Sequence, residues 1–208
     1  MMTNLPNMLT LLRIAAIPVI VALFYVGGEA GAWLACAVFA LACVTDYLDG
    51  LIARMRSQQS AFGRCLDPIA DKLLVASALL MLAGFGQVAG YTLIPAVVIL
   101  CREIVVSGLR EFLAELRVPL PVTQLAKWKT ALQMAAIACL IVGDAAPAAL
   151  ELRTVGEVGL WIAAGLTLIT GYDYLRAALG HLRAVDSGTD GSAHASAESR
   201  RGPRARTG

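Results

Sequence analysis

Six apolar stretches joined by short polar connections constrain this chain more than any other feature. Hydrophobic residues make up 58% of its 208 residues and charged residues only 15%, against about a quarter in soluble domains. A helix needs about 20 largely apolar residues to cross a bilayer, and it pairs its own backbone polar groups there. The pattern predicts an all-α integral membrane protein with six transmembrane helices. The predicted spans are residues 14–26, 32–44, 73–85, 91–107, 125–142 and 155–175.

The basic residues lie in the connections on one side of these spans. With the N-terminus in the cytoplasm, threading six spans places sixteen of the seventeen Lys and Arg residues on the cytoplasmic side, and only Arg153 falls outside. Cytoplasmic connections of membrane proteins are enriched in Lys and Arg. Both termini are therefore predicted to be cytoplasmic.

The two ends of the chain differ from the apolar middle. The first thirteen residues alternate between polar and apolar, which predicts a short interfacial helix before the first span. From residue 184 to 208 the chain is small, polar and rich in Gly and Arg, which predicts a disordered cytoplasmic tail. Residues 1–183 are predicted to form one membrane domain.

Four aspartates stand where two of the predicted spans reach the cytoplasm. Asp46 and Asp49 are three residues apart, and Asp67 and Asp71 are four apart. Each spacing places both members of a pair on one face of a helix. Two neighbouring helices are thus predicted to present four carboxylates to a shared space. The connection between them is predicted to be a loop that contains Arg54, Arg56, Ser60 and Gly63.

Four carboxylates so close to lipid would repel one another and would be costly to desolvate. Divalent cations offset both effects, and ligands that are all oxygen favour Mg²⁺, Mn²⁺ or Ca²⁺. Two metal ions held by shared carboxylates are a known device for phosphate chemistry. Gly50, Ala53 and Gly63 leave room for a nucleotide to approach the backbone, and Arg54 is placed to bind a phosphate.

These residues spell D-x2-D-G-x2-A-R-x8-G-x3-D-x3-D, which resembles the signature of the CDP-alcohol phosphatidyltransferase family at every fixed position. The segments LPNMLTLLRIAAIP, CREIVVSGLREFLAELRV and LAKWKTALQM are similar to bacterial members that use sn-glycerol 3-phosphate as acceptor. The resemblance covers residues 4 to 180. The eight signature residues are Asp46, Asp49, Gly50, Ala53, Arg54, Gly63, Asp67 and Asp71.

The resemblance implies that CDP-diacylglycerol gives its phosphatidyl group to the 1-hydroxyl of glycerol 3-phosphate, in the bacterial inner membrane and on its cytoplasmic side. It also implies two Mg²⁺ or Mn²⁺ ions and a homodimer. Asp46 and Asp67 resemble the aspartates that bridge both ions. Asp49 resembles a ligand of the first ion, and Asp71 resembles a ligand of the second and the general base. The residues assigned to CDP-diacylglycerol are Gly50, Ala53, Arg54, Ser60 and Gly63.

An acceptor that carries a phosphate calls for a second basic group. The candidates on the cytoplasmic side are Arg110, Lys127, Lys129 and Arg176. Arg102 has two possible roles: an ion pair with Glu103 or a contact with a phosphate.

Other readings remain at this point. The same metal site would serve another acceptor, such as inositol phosphate, serine or phosphatidylglycerol. A cation transporter is a reading from a different class, because carboxylates inside a membrane often mark ion paths. The clustering of the carboxylates at one face, with Gly and Arg between them, argues against it. No nucleic-acid partner is expected.

Overall fold

The computed structural model describes residues 5–56, 61–115 and 124–199, and within these residues it contains six α-helices, three single 3₁₀ turns and no strand. Each of the six predicted spans falls in one of the six helices, in order. Only the third and fourth spans project beyond their helix, by one and two residues. The prediction of an all-α fold is confirmed. The helices are α1 (Leu5–Val26), α2 (Gly28–Arg56), α3 (Ala61–Gly84), α4 (Leu93–Glu115), α5 (Gln124–Val142) and α6 (Leu152–Ser199).

Four of the helical stretches are long and apolar enough to cross a membrane. They are Met8–Val26, Gly28–Thr45, Gly90–Ala114 and Ala148–Arg176. Many of their large apolar side chains point outward, among them Leu12, Leu41 and Ile104, which suits a surface in contact with lipid tails. The protein is therefore a multi-pass integral membrane protein.

The other two long helices, α3 and α5, carry charged residues within their apolar sequence, such as Asp71 in α3 and Lys129 in α5. α3 packs against α1, α4 and α5, while α5 packs against α2, α3 and α6. Both helices also keep exposed apolar side chains, such as Leu80 of α3 and Trp128 of α5. Polar groups at depth are tolerated where they face protein rather than lipid, as the buried Lys129 does.

Three connections between helices meet at one end of the bundle. The ring of Phe85, just after α3, lies 5.5 Å from the ring of Phe24 and 5.3 Å from that of Tyr25. Arg153, at the start of α6, pairs with Asp144 at 2.7 Å and donates to the carbonyl of Gly86 at 3.4 Å. We call this the loop end (residues 27, 85–92 and 143–151) and the opposite one the aspartate end. Arg153, the one basic residue predicted apart from the rest, lies at the loop end.

The start of the chain differs from the prediction. The short interfacial helix is not a separate element, because α1 runs unbroken from Leu5 to Val26. Thr10 and Arg13 are both 1% exposed. Thr10 and Arg13 therefore face the bundle, while Met8, Leu11 and Leu12 on the same helix are exposed.

The loop between the two aspartate pairs is also shorter than predicted. Arg54 and Arg56 belong to α2, and Gly63 belongs to α3, while Ser60 lies outside the described residues. The alanines, leucines and arginines at these two helix ends have high helix propensity, so the helices continue past the bilayer-length stretch.

The C-terminal boundary at residue 184 was predicted from composition. The backbone of α6 is helical past that point, to Ser199, because a helix that is already nucleated extends at little further cost. Residues 200–208 lie outside the described part of the chain, so the division into a membrane domain and a tail stays a prediction.

Helices α5 and α6 approach closely at Gly156. A Cβ atom there would lie 2.6 Å from Cγ of Leu140 and 3.1 Å from the carbonyl oxygen of Ala136. We expect Gly156→Ala to lower the free energy of unfolding by about 1–3 kcal/mol through overpacking, measured as a lower melting temperature in detergent. Gly165→Ala is the matched control, since a Cβ there meets nothing within 4 Å. An equal melting temperature in both variants would contradict this close packing.

Candidate active site

The aspartates of α2 continue the helix face that forms the core. Ala35, Phe39 and Ala42 are buried on that face. Asp46 follows Phe39 by seven residues and Asp49 follows Ala42 by seven, and seven residues are about two helical turns. The helix is continuous through both positions, which confirms the predicted helical spacing. The side chains of Asp46 and Asp49 lie outside the described part of the structure.

The aspartates of α3 follow the same rule. Val75, Ala78 and Leu82 are buried in the same core cluster as Phe39 and Ala42. Asp71 stands one turn before Val75, and Asp67 one turn before that. The side chain of Asp71 is partly buried, and that of Asp67 is outside the described part. The backbone of α2 and of α3 thus carries both pairs within about two turns of the shared core cluster, at the aspartate end.

Arg13 is a buried cation that the sequence analysis treated as an ordinary cytoplasmic charge. α1 and α3 run in the same direction. The ring of Phe24 in α1 and that of Phe85, just after α3, are in contact, so these two residues lie at the same height in the bundle, at the loop end. Arg13 precedes Phe24 by eleven residues, and Leu74 precedes Phe85 by eleven, so Arg13 and Leu74 lie at a similar height. Asp71 is three residues before Leu74, so Arg13 lies about one helical turn from the height of Asp71. Helical side chains lean toward the N-terminus, which directs Arg13 toward the aspartate end. The burial of Arg13 could have been predicted from its spacing, because it precedes the apolar Ile20 by seven residues and Phe24 by eleven, which places the three on one helical face.

A second polar group joins α4 and α5. The ammonium of Lys129 forms a short ion pair with Oε1 of Glu103, and the same oxygen lies 3.6 Å from Nη1 of Arg102. The side chain of Lys129 is only 3% exposed. One carboxylate is thus shared by two cations in a partly dehydrated place, where ionic contacts are stronger than in water.

Helix α6 completes this group. Arg110 donates from Nη2 to the hydroxyl of Tyr174 at 2.8 Å, and its guanidinium lies 5.0 Å from the centre of the Tyr174 ring. We call Arg102, Glu103, Arg110, Lys129 and Tyr174 the basic cluster. It holds three cations around one carboxylate, so its net charge is positive and it suits an anion such as a phosphate.

The candidates for the acceptor phosphate are distributed unevenly. Arg110 and Lys129 are connected through Arg102, whose guanidinium lies 5.9 Å from the centre of the Tyr174 ring and whose Nη1 lies 3.6 Å from Glu103. Arg176 is exposed and stands two residues beyond Tyr174, a spacing that points it to another side of α6. The side chain of Lys127 lies outside the described part. Arg102, for which the sequence allowed two roles, forms an ion pair with Glu103 and hydrogen bonds with Thr167 and Thr170 of α6.

Sequence reasoning did not assign Glu103 or Tyr174 to the site. Glu103 adjoins Arg102 in the chain, but its partner Lys129 is 26 residues away. Tyr174 is 64 residues from Arg110. No periodicity within one helix reveals such partners, because they depend on how three helices pack.

The described side chains contain no group of three or more His, Cys, Asp or Glu residues that would hold a metal ion. Three of the four aspartates proposed as ligands are not among those side chains. The oxygen-only character of the four carboxylates, on core-facing positions of α2 and α3, fits a hard divalent cation.

A multi-pass helical membrane protein, with carboxylate positions and a basic cluster on its helices, has the parts needed to handle phosphate esters at a membrane. Residues 3–169 match the model of the family described as CDP-alcohol phosphatidyltransferase, and the chain belongs to that family of transferases. The resemblance noted from the eight-residue signature is thereby confirmed.

Several curated relatives carry a more specific name. The chain is 51% identical over 174 residues to the CDP-diacylglycerol–glycerol-3-phosphate 3-phosphatidyltransferase of Rickettsia bellii, which covers 84% of this chain and 94% of the relative. It is 40% identical to the protein of the same name from Cereibacter sphaeroides, with 86% and 97% covered. A relative from Arabidopsis thaliana, with the same name followed by the numeral 2, is 38% identical, with 83% and 78% covered.

Proposed function

We propose that this protein transfers the phosphatidyl group of CDP-diacylglycerol to sn-glycerol 3-phosphate, giving phosphatidylglycerol phosphate and CMP. The observation that carries the proposal is the similarity, over nearly the full length, to relatives named for this reaction. The phospholipid product and the lipid donor both require a membrane enzyme, in agreement with the helical bundle.

Members of this family generally depend on divalent metal ions. Asp46, Asp49, Asp67 and Asp71 would hold two Mg²⁺ or Mn²⁺ ions. When bound, such ions offset the negative charge of the diphosphate and of the departing CMP. The helical register supports this assignment, since both pairs continue buried faces of helices that share one core.

Asp71 is our candidate for the general base. The 1-hydroxyl of the acceptor is a weak nucleophile and needs a base within hydrogen-bond reach. As its oxygen forms a bond to the phosphatidyl phosphorus, the bond to the CMP oxygen breaks and the proton passes to the Asp71 carboxylate. The partly buried position of Asp71 limits competition from water.

The donor is assigned to the segment between the two aspartate pairs. Gly50 and Ala53 share the helical face of Asp46 and Asp49, and Gly63 lies in the first turn of α3. Small residues there admit the cytidine diphosphate, and Arg54 with Ser60 supplies polar contacts to it. For the acceptor phosphate, we favour Arg110 and Lys129 because both belong to the basic cluster, ahead of Lys127 and Arg176.

We place this reaction at the cytoplasmic face of the bacterial inner membrane, with six spans and both termini in the cytoplasm. The concentration of basic residues away from the loop end supports that orientation. A homodimer remains part of the proposal through family resemblance.

The direct test is CMP release by the purified protein in detergent, with CDP-diacylglycerol, Mg²⁺ and single acceptors. Glycerol 3-phosphate is expected to support release, while inositol phosphate, serine and phosphatidylglycerol are not. Release with one of the others instead would retain the family and overturn the acceptor. No release with any acceptor, from folded protein, would overturn the proposed reaction and reopen the cation transporter.

Removal of divalent ions gives a separate prediction. Chelation with EDTA is expected to lower CMP release by about 10²-fold or more, because the diphosphate charge is then no longer offset. Added Mg²⁺ or Mn²⁺ in excess of the chelator should restore the rate. Full activity in EDTA would contradict the metal assignment to the four aspartates.

A further inference from the structure

We propose that Arg102 is a positioning residue and that helix α6, through Thr170 and Gly171, holds it so that the basic cluster can bind the phosphate of the acceptor. This inference rests on the proposed function. It separates two roles among the cations of the cluster. Arg110 and Lys129 are left to bind the phosphate, and Arg102 fixes the carboxylate that orients Lys129.

The nitrogens of Arg102 are already engaged within the protein. Nε donates to the carbonyl oxygen of Thr167 at 3.2 Å, and Nη2 donates to Oγ1 of Thr170 at 2.8 Å. Nη1 lies 3.6 Å from Oε1 of Glu103. The two hydrogen bonds to α6 and the ion pair with Glu103 fix the position of the guanidinium, which suits a residue that orients its neighbours.

Thr170 is itself oriented for this contact. Its hydroxyl donates to backbone oxygens of its own helix, at 2.9 Å from Leu166 and 3.1 Å from Thr167. Because the hydroxyl hydrogen points along the helix, a lone pair of Oγ1 remains to accept from Arg102. The side chain of Thr170 is buried, so water does not compete for that position.

Gly171 provides the space for the side chain of Arg102. A Cβ atom at Gly171 would lie 3.2 Å from Cγ and 3.3 Å from Nε of Arg102. Glycine inside a helix is about 1 kcal/mol less favourable than alanine, so helix formation does not explain it. At Gly165, two turns earlier in the same helix, a Cβ would meet nothing within 4 Å.

Arg102 controls Lys129 through Glu103. Both cations approach the same oxygen, Oε1, so a displaced Arg102 leaves that oxygen to Lys129 alone. Glu103 then has one countercharge fewer at that oxygen, so it holds the Lys129 ammonium more strongly and leaves it less available to an incoming phosphate. α6 thereby sets the affinity for the acceptor through Arg102 and Glu103.

The test compares Gly171→Ala and Thr170→Val with Thr170→Ser and Gly165→Ala. For the first two, we expect KM for glycerol 3-phosphate to rise about tenfold, with KM for CDP-diacylglycerol changed less than twofold. Thr170→Ser keeps the acceptor oxygen and should retain the wild-type KM. Gly165→Ala should match the wild type as well. Gly171→Ala should melt at or above the wild-type temperature, because alanine favours the helix.

A binding measurement separates this inference from the proposed reaction. The affinity of each purified protein for glycerol 3-phosphate is measured by calorimetry without the lipid donor. Weaker binding to Gly171→Ala and Thr170→Val supports the role of α6, even if the wild type were to release no CMP. Equal affinity in all variants, or no binding of glycerol 3-phosphate to the wild type, overturns it.

Discussion

Asp71→Asn is expected to lower CMP release by about 10³-fold or more while the protein stays folded. Asparagine has nearly the shape of aspartate, but it neither carries the charge that binds a cation nor accepts the hydroxyl proton. General base catalysis alone contributes about 10²–10⁴-fold, and loss of a metal ligand adds to this effect. The measurement is CMP release from CDP-diacylglycerol and glycerol 3-phosphate at saturating Mg²⁺.

The control for this variant is another carboxylate far from the aspartate end. Glu29→Gln removes an exposed carboxylate in the first turn of α2, next to the loop end, and should leave CMP release unchanged. The melting temperature in detergent is measured for both variants. Activity of Asp71→Asn within tenfold of the wild type, at equal melting temperature, would remove Asp71 from the role of base.

Lys129→Met is expected to have the second largest effect. The substitution keeps the length of the side chain but removes the ammonium that pairs with Glu103 in a nearly dehydrated place. Loss of the proposed contact from the ammonium to the phosphate costs about 1.5–3 kcal/mol, which corresponds to a rise in KM for glycerol 3-phosphate of up to roughly 10²-fold. The substitution also lowers the free energy of unfolding by about 1–3 kcal/mol, because Glu103 keeps a partly buried charge that Arg102, at 3.6 Å, compensates only in part.

The double variant Lys129→Met with Glu103→Gln separates the two effects. Neutralising Glu103 removes the uncompensated charge, so the melting temperature is expected to return most of the way to the wild-type value. The KM for glycerol 3-phosphate should stay high, because no ammonium is restored. A KM that recovers together with the stability would show that Lys129 serves only the structure.

The sequence-based prediction worked where the signal is local along the chain. The six helices were predicted from the apolar stretches, and four of them contain stretches that are long and apolar enough to cross a membrane. The helical spacing of Asp46 and Asp49, or of Asp67 and Asp71, needs only the 3.6-residue period. Both types of signal depend on neighbours within four residues or on the hydropathy of a single helix. They do not depend on which helices touch.

The boundaries were predicted less well. The lead-in before the first span forms one helix with it, and the connection after Asp49 is largely helical at both sides. Hydropathy marks the lipid-embedded part of a helix, whereas hydrogen bonding continues beyond that part. The end of an apolar stretch is therefore a poor marker for the end of a helix.

The sequence by itself determined the class of fold, the end of the bundle that carries the carboxylates, and the family signature. Only the tertiary structure decided which cations act together. Lys129 pairs with a glutamate 26 residues away, and Arg102 and Arg110 are held by α6 residues 64 to 68 positions distant. The burial of Arg13 was decided in the same way. The physical reason is that a basic residue looks the same in sequence whether it faces water, lipid head groups or a buried carboxylate, and only the packing of helices distinguishes these surroundings.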